Sequence, residues 1–275
     1  MQPTLQSRAK LNNGVEMPYL GLGTWESPQG KPTRDALKYA IDLGYRLFDT
    51  AKIYGNEKEV GEGVKASNVP RDQIFVTTKL WNSDHGYDSA IRACDGSLKR
   101  LGLNYVDLYL IHWPVSGKRE ETWKAMAHLA KEGKCRAVGV SNYTTRHLSE
   151  LVESSNLVPA VNQVEFSPFL YQQDLLKFCE SSKIQLEAYS PLTRGRRLDH
   201  PHVKAIASKH QKSPAQVVLR WAIQHAVVAI PESIRKERIL ENSQLYDFSL
   251  STEEMKVLDS LNDGFRTCWD PSDIS

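Results

Sequence analysis

Eight short β-rich runs recur along this chain at intervals of about 25–30 residues, and no other feature restricts its fold as strongly. They are "YLGLGTW" (19–25), "YRLFDTA" (45–51), "QIFVTTKL" (73–80), "VDLYLIHW" (106–113), "CRAVGVSN" (135–142), "AVNQVEF" (160–166), "IQLEAYS" (184–190) and "VVAIPES" (227–233). Segments of helical period separate them, among them "TRDALKYAIDLG", "YDSAIRACDGSLKRLG", "EETWKAMAHLAKEG" and "PAQVVLRWAIQH". Strands joined by helices of this length pair in parallel through crossovers. Eight such units without a linker predict an α/β protein, a closed (β/α)8 TIM barrel forming one domain over residues 1–275. An open doubly wound sheet is the competing architecture.

Three segments depart from a bare barrel. "RAKLNNGVEMP" (8–18) places an Asn-Gly turn between extended runs, which predicts an N-terminal β-hairpin able to plug the barrel's bottom. "PLTRGRRLDHPH" (191–202) reads as a polar, basic loop after the seventh strand, and "STEEMKVLDSLN" (251–262) as an extra C-terminal helix opened by a cap. "GEGVKA" (61–66) matches a dinucleotide fingerprint, with Asp84 beyond it, but follows the charged run "NEKEV" rather than a strand. A fingerprint must follow a strand and open a helix, so a helical glycine pair is the expected reading.

Composition excludes several classes of function. A net charge of +2 is too mild to argue for nucleic acid or a membrane surface, and no run of 18 apolar residues is present. Cys94, Cys135, Cys179 and Cys268 are far apart with no CxxC, which predicts neither a zinc site nor a disulfide framework. "MQPTLQSRAK" has no apolar core of a signal peptide, so a cytoplasmic enzyme is expected.

In a (β/α)8 barrel, side chains from different strands converge where the strands end. Those ends carry Trp25, Asp49 and Tyr54, Lys79, His112 and Trp113, Ser141 and Asn142, Gln163 and Glu165, Tyr189 and Ser190, and Ser233. Asp49 and Lys79 could form a stabilising ion pair and nothing more, but a buried ion pair is a poor source of stability. It serves better to tune a neighbour. An ammonium about 4 Å from a phenolate at an effective dielectric near 20 is worth roughly 4 kcal/mol, about 3 pK units before desolvation opposes it. Tyr54 is therefore expected to be a general acid with a pKa nearer neutrality, and His112 to orient a carbonyl oxygen. No metal ligand set, serine elbow or catalytic thiol competes, and a tuned acid facing a carbonyl requires a hydride donor. An aldolase-type Schiff base on Lys79 is the rival chemistry, and Asp49 speaks against it.

"GLGTW", "DTAxxYGNE", "TTKLWN", "DLYLIHWP", "GVSN", "NQVE", "YSPL" and "IPxSxxxxRxxEN" follow one another across residues 20 to 242. In this the chain resembles the aldo-keto reductase family, and its spacing the smaller prokaryotic-type members such as the 2,5-diketo-gluconate reductases. The resemblance implies a monomer that reduces aldehydes or ketones with NADP(H), its small-molecule partners being that cofactor and a carbonyl substrate. It assigns Tyr54 as proton donor, Lys79 and Asp49 as its tuning pair and His112 as the carbonyl-orienting group. For the cofactor it implies Gly23, Thr24 and Asp49; Ser141, Asn142 and Gln163 at the nicotinamide carboxamide; Tyr189 stacked on the ring; Ser190 and Leu192 at the pyrophosphate; and Ser233, Arg238, Glu241 and Asn242 at the adenosine end. Trp25, Tyr54, Trp81, His112 and Trp113 should line the substrate pocket, with Phe265 and Trp269 closing over it. A non-catalytic nicotinamide-binding sensor or structural protein, a role some relatives fill, is the alternative.

One position departs from the family pattern. Most members read "IPKS" at the last strand, where the lysine grips the 2′-phosphate of NADPH; this chain reads "IPES". Glu232 would repel that phosphate and could instead accept hydrogen bonds from the ribose hydroxyls of NADH, so NAD(H) use is expected to exceed the family norm. Arg194, Arg196 and Arg197 crowd the loop after "YSPL", where they could clamp a pyrophosphate.

Overall fold

The structure is a computed structural model describing residues 4–155 and 157–275. Its strands are β1 (Arg8–Lys10), β2 (Glu16–Pro18), β3 (Leu22–Gly23), β4 (Leu47–Asp49), β5 (Phe75–Leu80), β6 (Val106–Ile111), β7 (Cys135–Ser141), β8 (Val161–Glu165), β9 (Gln185–Tyr189) and β10 (Val228–Ala229). Its helices are α1 (Lys31–Leu43), α2 (Glu57–Ala66), α3 (Tyr87–Leu101), α4 (Arg119–Lys131), α5 (Thr145–Ser154), α6 (Gln173–Ser181), α7 (Pro201–His210), α8 (Pro214–Gln224), α9 (Lys236–Ser243) and α10 (Thr252–Asp259).

Strands β3 to β10 pair in parallel in chain order, and each falls inside one of the eight runs read from the sequence. The sheet closes on itself: Gly21 N donates to Ala229 O, Ala229 N to Tyr19 O and Gly23 N to Pro231 O, at 2.9, 2.9 and 3.1 Å. Closure leaves no edge strand between β3 and β10. The β1–β2 hairpin pairs Arg8 with Pro18 and Lys10 with Glu16. Its Ala9, Leu11 and Met17 pack with Leu47, Phe75, Leu108, Val161 and Val228 in one buried cluster, so the hairpin plugs the bottom of the barrel as expected. The larger apolar cluster lies between the outer faces of the strands and the helices.

Two of the described helices lie outside the eightfold repeat. One is the expected α10, whose Ser251 and Glu254 form a reciprocal capping box. The other, α7, was not expected; a proline in its first turn starts it within the segment read as loop. The "GEGVKA" match lies within α2, where a Cβ on Gly61 would stand 1.8 Å from Leu101 O at the end of α3. Gly61 is there so that two helices can touch. No described helix is long and apolar enough to cross a membrane.

Candidate active site

Inward positions along each barrel strand recur every second residue, and in this chain they change from apolar at the bottom to polar at the top. Leu47 gives way to Asp49, Phe75 and Thr77 to Lys79, Leu110 to His112, and Val161 to Gln163 and Glu165. Parallel register sets Asp49 opposite Thr77, and Lys79 lies one inward position higher on the same strand. Their side chains meet: Lys79 Nζ donates to Asp49 Oδ1 at 2.6 Å and to Thr50 O at 3.1 Å, and both residues are buried.

Tyr54 comes from the short 3-10 turn Lys52–Tyr54 that follows β4. The rest of "YGNE" holds that turn in place. Buried Asn56 donates to Thr24 O (2.8 Å) and accepts from Thr50 Oγ1 (2.7 Å), while buried Glu57 accepts from Thr78 Oγ1 (2.6 Å) and Arg100 Nε (2.5 Å). The Tyr54 phenol oxygen lies 3.1 Å from Lys79 Nζ, its ring edge-on to His112 at 5.7 Å and tilted against Trp25 at 4.8 Å. Three strand ends, those of β4, β5 and β6, thus deliver a carboxylate, a phenol, an ammonium and an imidazole to one place.

The electrostatics correct one expectation. Burial pushes the Tyr54 phenol up to about 12; the Lys79 ammonium pulls it down without reversing the shift, and the nearby Asp49 charge adds to the rise. The phenol is therefore not near neutrality, because desolvation at this depth exceeds the attraction of one cation. Burial also opposes the charge on Lys79, but Asp49 and Tyr54 outweigh it and hold the ammonium above its ordinary pKa. Asp49 itself is raised by burial, with Lys79 and Gln163 pulling it back. Burial, assisted by Lys79, holds His112 well below 6.5, so its imidazole is neutral. Its Nδ1 is buried without a hydrogen-bond partner among the described residues.

Above these groups opens a cleft of about 920 Å³ that runs from Asp49, Tyr54 and His112 past Tyr189 and Ser190 to Arg238, Glu241 and Asn242. Gly23, Asn142, Gln163, Leu192 and Glu232 line it too, as do Trp25, Trp81 and Trp113. Its volume is at the upper end of ordinary ligand sites. A Cβ on Gly23 would stand 2.7 Å from Ile230 O, so this wall closes only around a glycine. Asn142 takes a left-handed backbone conformation (φ 63°), with its Nδ2 donating to His112 O (3.0 Å) and its Oδ1 accepting from Tyr189 Oη (2.8 Å). Ser190 is left-handed as well (φ 45°), and strained backbone of this kind gathers where ligands are held.

Thr24, Lys79, Ser141 and Ser233 lie behind the cleft wall, not on it. Thr24 donates to Asp49 O and Ser141 to Gln163 O, both at 2.8 Å, while Ser233 accepts from Arg235 N at 3.1 Å. Of the three loop arginines, Arg194 reaches the cleft and pairs with Glu26 at 3.3 Å; Arg197 pairs with Asp263 instead. Trp269 lines the cleft, 71% exposed and 5.8 Å from Trp113. Phe265 lies against the Arg197 guanidinium, outside the lining.

Sequence reasoning missed how the tail is held. The Glu165 carboxylate accepts from Thr267 N and Oγ1, each at 2.6 Å, and from Cys268 N at 3.1 Å, so Arg266, Thr267 and Cys268 join the wall. Glu187 was also missed. Fully buried in β9, it accepts from the same Gln163 amide that donates to Asp49. A glutamate inside the apolar run "IQLEAYS" was the available signal for it.

The sequence profile of the Aldo/keto reductase family matches residues 19–263. This chain belongs to the aldo/keto reductase family. It is 48% identical over 274 residues to the glyoxal reductase of Bacillus subtilis (strain 168), covering 100% of this chain and 99% of that one. Among solved structures, the aldo-keto reductase MGS-M4 from a Medee basin deep-sea metagenome library superposes with a TM-score of 0.94 at 44% identity, covering 98% of this chain and 100% of that one. The Bombyx mori aldo-keto reductase in complex with NADP superposes with a TM-score of 0.89 at 36% identity, covering 96% and 95%. As an aldo-keto reductase this chain is an oxidoreductase on a (β/α)8 barrel, and its cleft lies at the carboxyl ends of the strands, where that architecture places its chemistry.

Proposed function

We propose that this aldo-keto reductase reduces small aldehydes and ketones with NAD(P)H, Tyr54 delivering the proton. The observation carrying the proposal is the 3.1 Å contact between Lys79 Nζ and the Tyr54 phenol at the floor of the cleft. The donor set suits a nicotinamide. Gln163 Oε1 accepts no hydrogen bond among the described residues and faces the cleft beside Asn142 and the Tyr189 ring, while Arg238 and Asn242 stand at its far end. When bound, NAD(P)H supplies the hydride.

The protein's own part follows from position and charge. Tyr54 Oη takes Lys79 Nζ–H as donor, which frees the phenolic O–H to point at a substrate oxygen. Neutral His112 donates a second hydrogen bond without competing as an acid. A forming alkoxide is a base comparable with hydroxide, whose conjugate acid has a pKa of about 15.7. A phenol at about 12 therefore still transfers its proton downhill, and a near-neutral donor is not required.

Trp25, Trp81, Trp113 and Trp269 make the mouth aromatic, which favours compact, flat carbonyls. Similarity to a glyoxal reductase points the same way, to dicarbonyls such as glyoxal and methylglyoxal, with aromatic aldehydes and keto-sugars as further candidates. Glu232 supports use of NADH beside NADPH. Ser27 Oγ holds its carboxylate at 2.9 Å on the cleft wall, where repulsion of a 2′-phosphate at about 5 Å in a wet site amounts to about 1–2 kcal/mol, roughly tenfold in affinity.

Oxidation of NADPH and NADH with methylglyoxal, a nitrobenzaldehyde and a keto-sugar tests both points. Tyr54→Phe should bind cofactor and lose nearly all turnover; retained activity would overturn the assigned proton donor. Glu232→Lys should shift preference toward NADPH about tenfold, and a hundredfold wild-type preference for NADPH in kcat/KM would end the argument for NADH.

A further inference from the structure

Beneath the cup lies a buried carboxyl that the chemistry above does not use. Glu187 sits in the middle of β9, in register with Gln163 on β8 and Val228 on β10. The Gln163 amide nitrogen donates to Glu187 Oε2 at 2.8 Å and to Asp49 Oδ2 at 2.9 Å, and Asp49 Oδ1 in turn holds Lys79. Gln163, Asp49, Lys79 and Glu187 are all buried. Gln163 and Asp49 line the cleft, so Glu187 is one hydrogen bond below its floor.

The charges do not balance if every group ionises, for two carboxylates would then face one ammonium in a water-poor pit. Among the described residues Glu187 meets no cation directly; Asp49 and Lys79 are the charged groups that bear on it, and its neighbours on the flanking strands are Gln163 and Val228. Its Oε1 is buried without a partner among the described residues, an orphan that a bound proton would relieve. Burial first, and the Asp49 charge second, push its pKa up to about 8, so near neutral pH it is mostly protonated.

We propose that Glu187 is a charge-balancing positioning residue: through Gln163 it shares one negative charge with Asp49 beneath the cup, and it exchanges a proton with water when the charge of the bound nicotinamide changes. This rests on the reading that the nicotinamide seats against Gln163. The reduced ring is neutral and leaves Glu187 protonated. The oxidised ring brings a positive charge to the floor and favours the ionised carboxyl; the Glu187 O–H bond breaks, its electron pair stays on the carboxylate and the proton leaves to water. Glu187 then makes the site tell the two redox forms apart by pH, holding the oxidised form more tightly as pH rises.

The test is proton exchange on binding, measured in weakly buffered solution near pH 8 with NADP+ and then NADPH. Both forms carry the same phosphates, so the difference between them isolates the site. Wild type should release up to about half a proton per site more with NADP+ than with NADPH. Its Kd for NADP+ should fall as pH rises through about 8, while that for NADPH stays flat. Glu187→Gln, isosteric with the protonated acid, should bind both forms and lose the proton difference and the slope together. An equal loss of affinity for both forms with the slope intact would leave Glu187 a purely structural residue and overturn the proposal. Infrared difference spectra of wild type give a reading that needs no variant: a buried carboxylic acid signal must disappear on adding NADP+ and persist with NADPH. If neither form binds, the nicotinamide reading itself fails; binding without proton exchange sinks only the role given to Glu187.

Discussion

Lys79→Met isolates the interaction on which the proton-transfer argument depends. The ammonium stands 3.1 Å from the Tyr54 oxygen. At an effective dielectric of about 20 its attraction for a phenolate is about 5 kcal/mol, or about 4 pK units. With the proton about half transferred in the transition state, about half of that appears in the barrier, roughly a hundredfold in kcat. An offset acts in the other direction. Asp49, left without its cation, takes up a proton and no longer repels the phenolate, but it acts on Tyr54 more weakly than Lys79 does, so the loss should not fall below about tenfold. The assay is NADPH oxidation with methylglyoxal between about pH 5 and 9, alongside an ultraviolet titration of Tyr54, whose pKa should rise further above about 12. Removing one partner of a buried ion pair costs about 3–5 kcal/mol of stability, so Asp49→Asn/Lys79→Met serves as the folded control. A folded Lys79→Met enzyme within threefold of wild-type kcat would refute the reasoning.

Glu165→Ala removes the acceptor of three hydrogen bonds from Thr267 and Cys268, loosening the tail by about 2–4 kcal/mol. Limited proteolysis near residues 266–270 should accelerate, and KM for methylglyoxal should rise more than kcat falls. Gly61→Ala drives a Cβ into Leu101 O and should destabilise by about 3 kcal/mol in a denaturant melt, with kcat per folded molecule unchanged. Glu187 has a raised pKa in the folded state, about 8 against an ordinary 4.5, so the native protein binds more protons between those values and its stability falls as pH rises through that window. Glu187→Gln should match wild type below about pH 4.5 and exceed it above about pH 8, by up to about 5 kcal/mol. Denaturant melts at several pH values measure the difference, and equal stability throughout would count against a buried, protonated Glu187.

Periodicity alone determined the barrel. Eight β-rich runs interleaved with helical ones leave few ways to bury both faces of a parallel sheet, and polar residues at the run ends had to converge once the sheet closed. Asp49, Lys79 and His112 were legible for that reason, and Tyr54 because a short turn ties it to the same mouth. Only tertiary structure decided what those groups feel. Desolvation depends on how deep a side chain lies, which no spacing records, and so the same Lys79 that was expected to make Tyr54 acidic instead only limits a rise caused by burial. Contacts between residues remote in sequence were equally hidden: Glu165 finds the tail 102 residues away, and Gln163 joins Asp49 to Glu187 across the barrel. Local pattern fixes which way a side chain faces, whereas its charge state and partners follow from closure of the whole sheet.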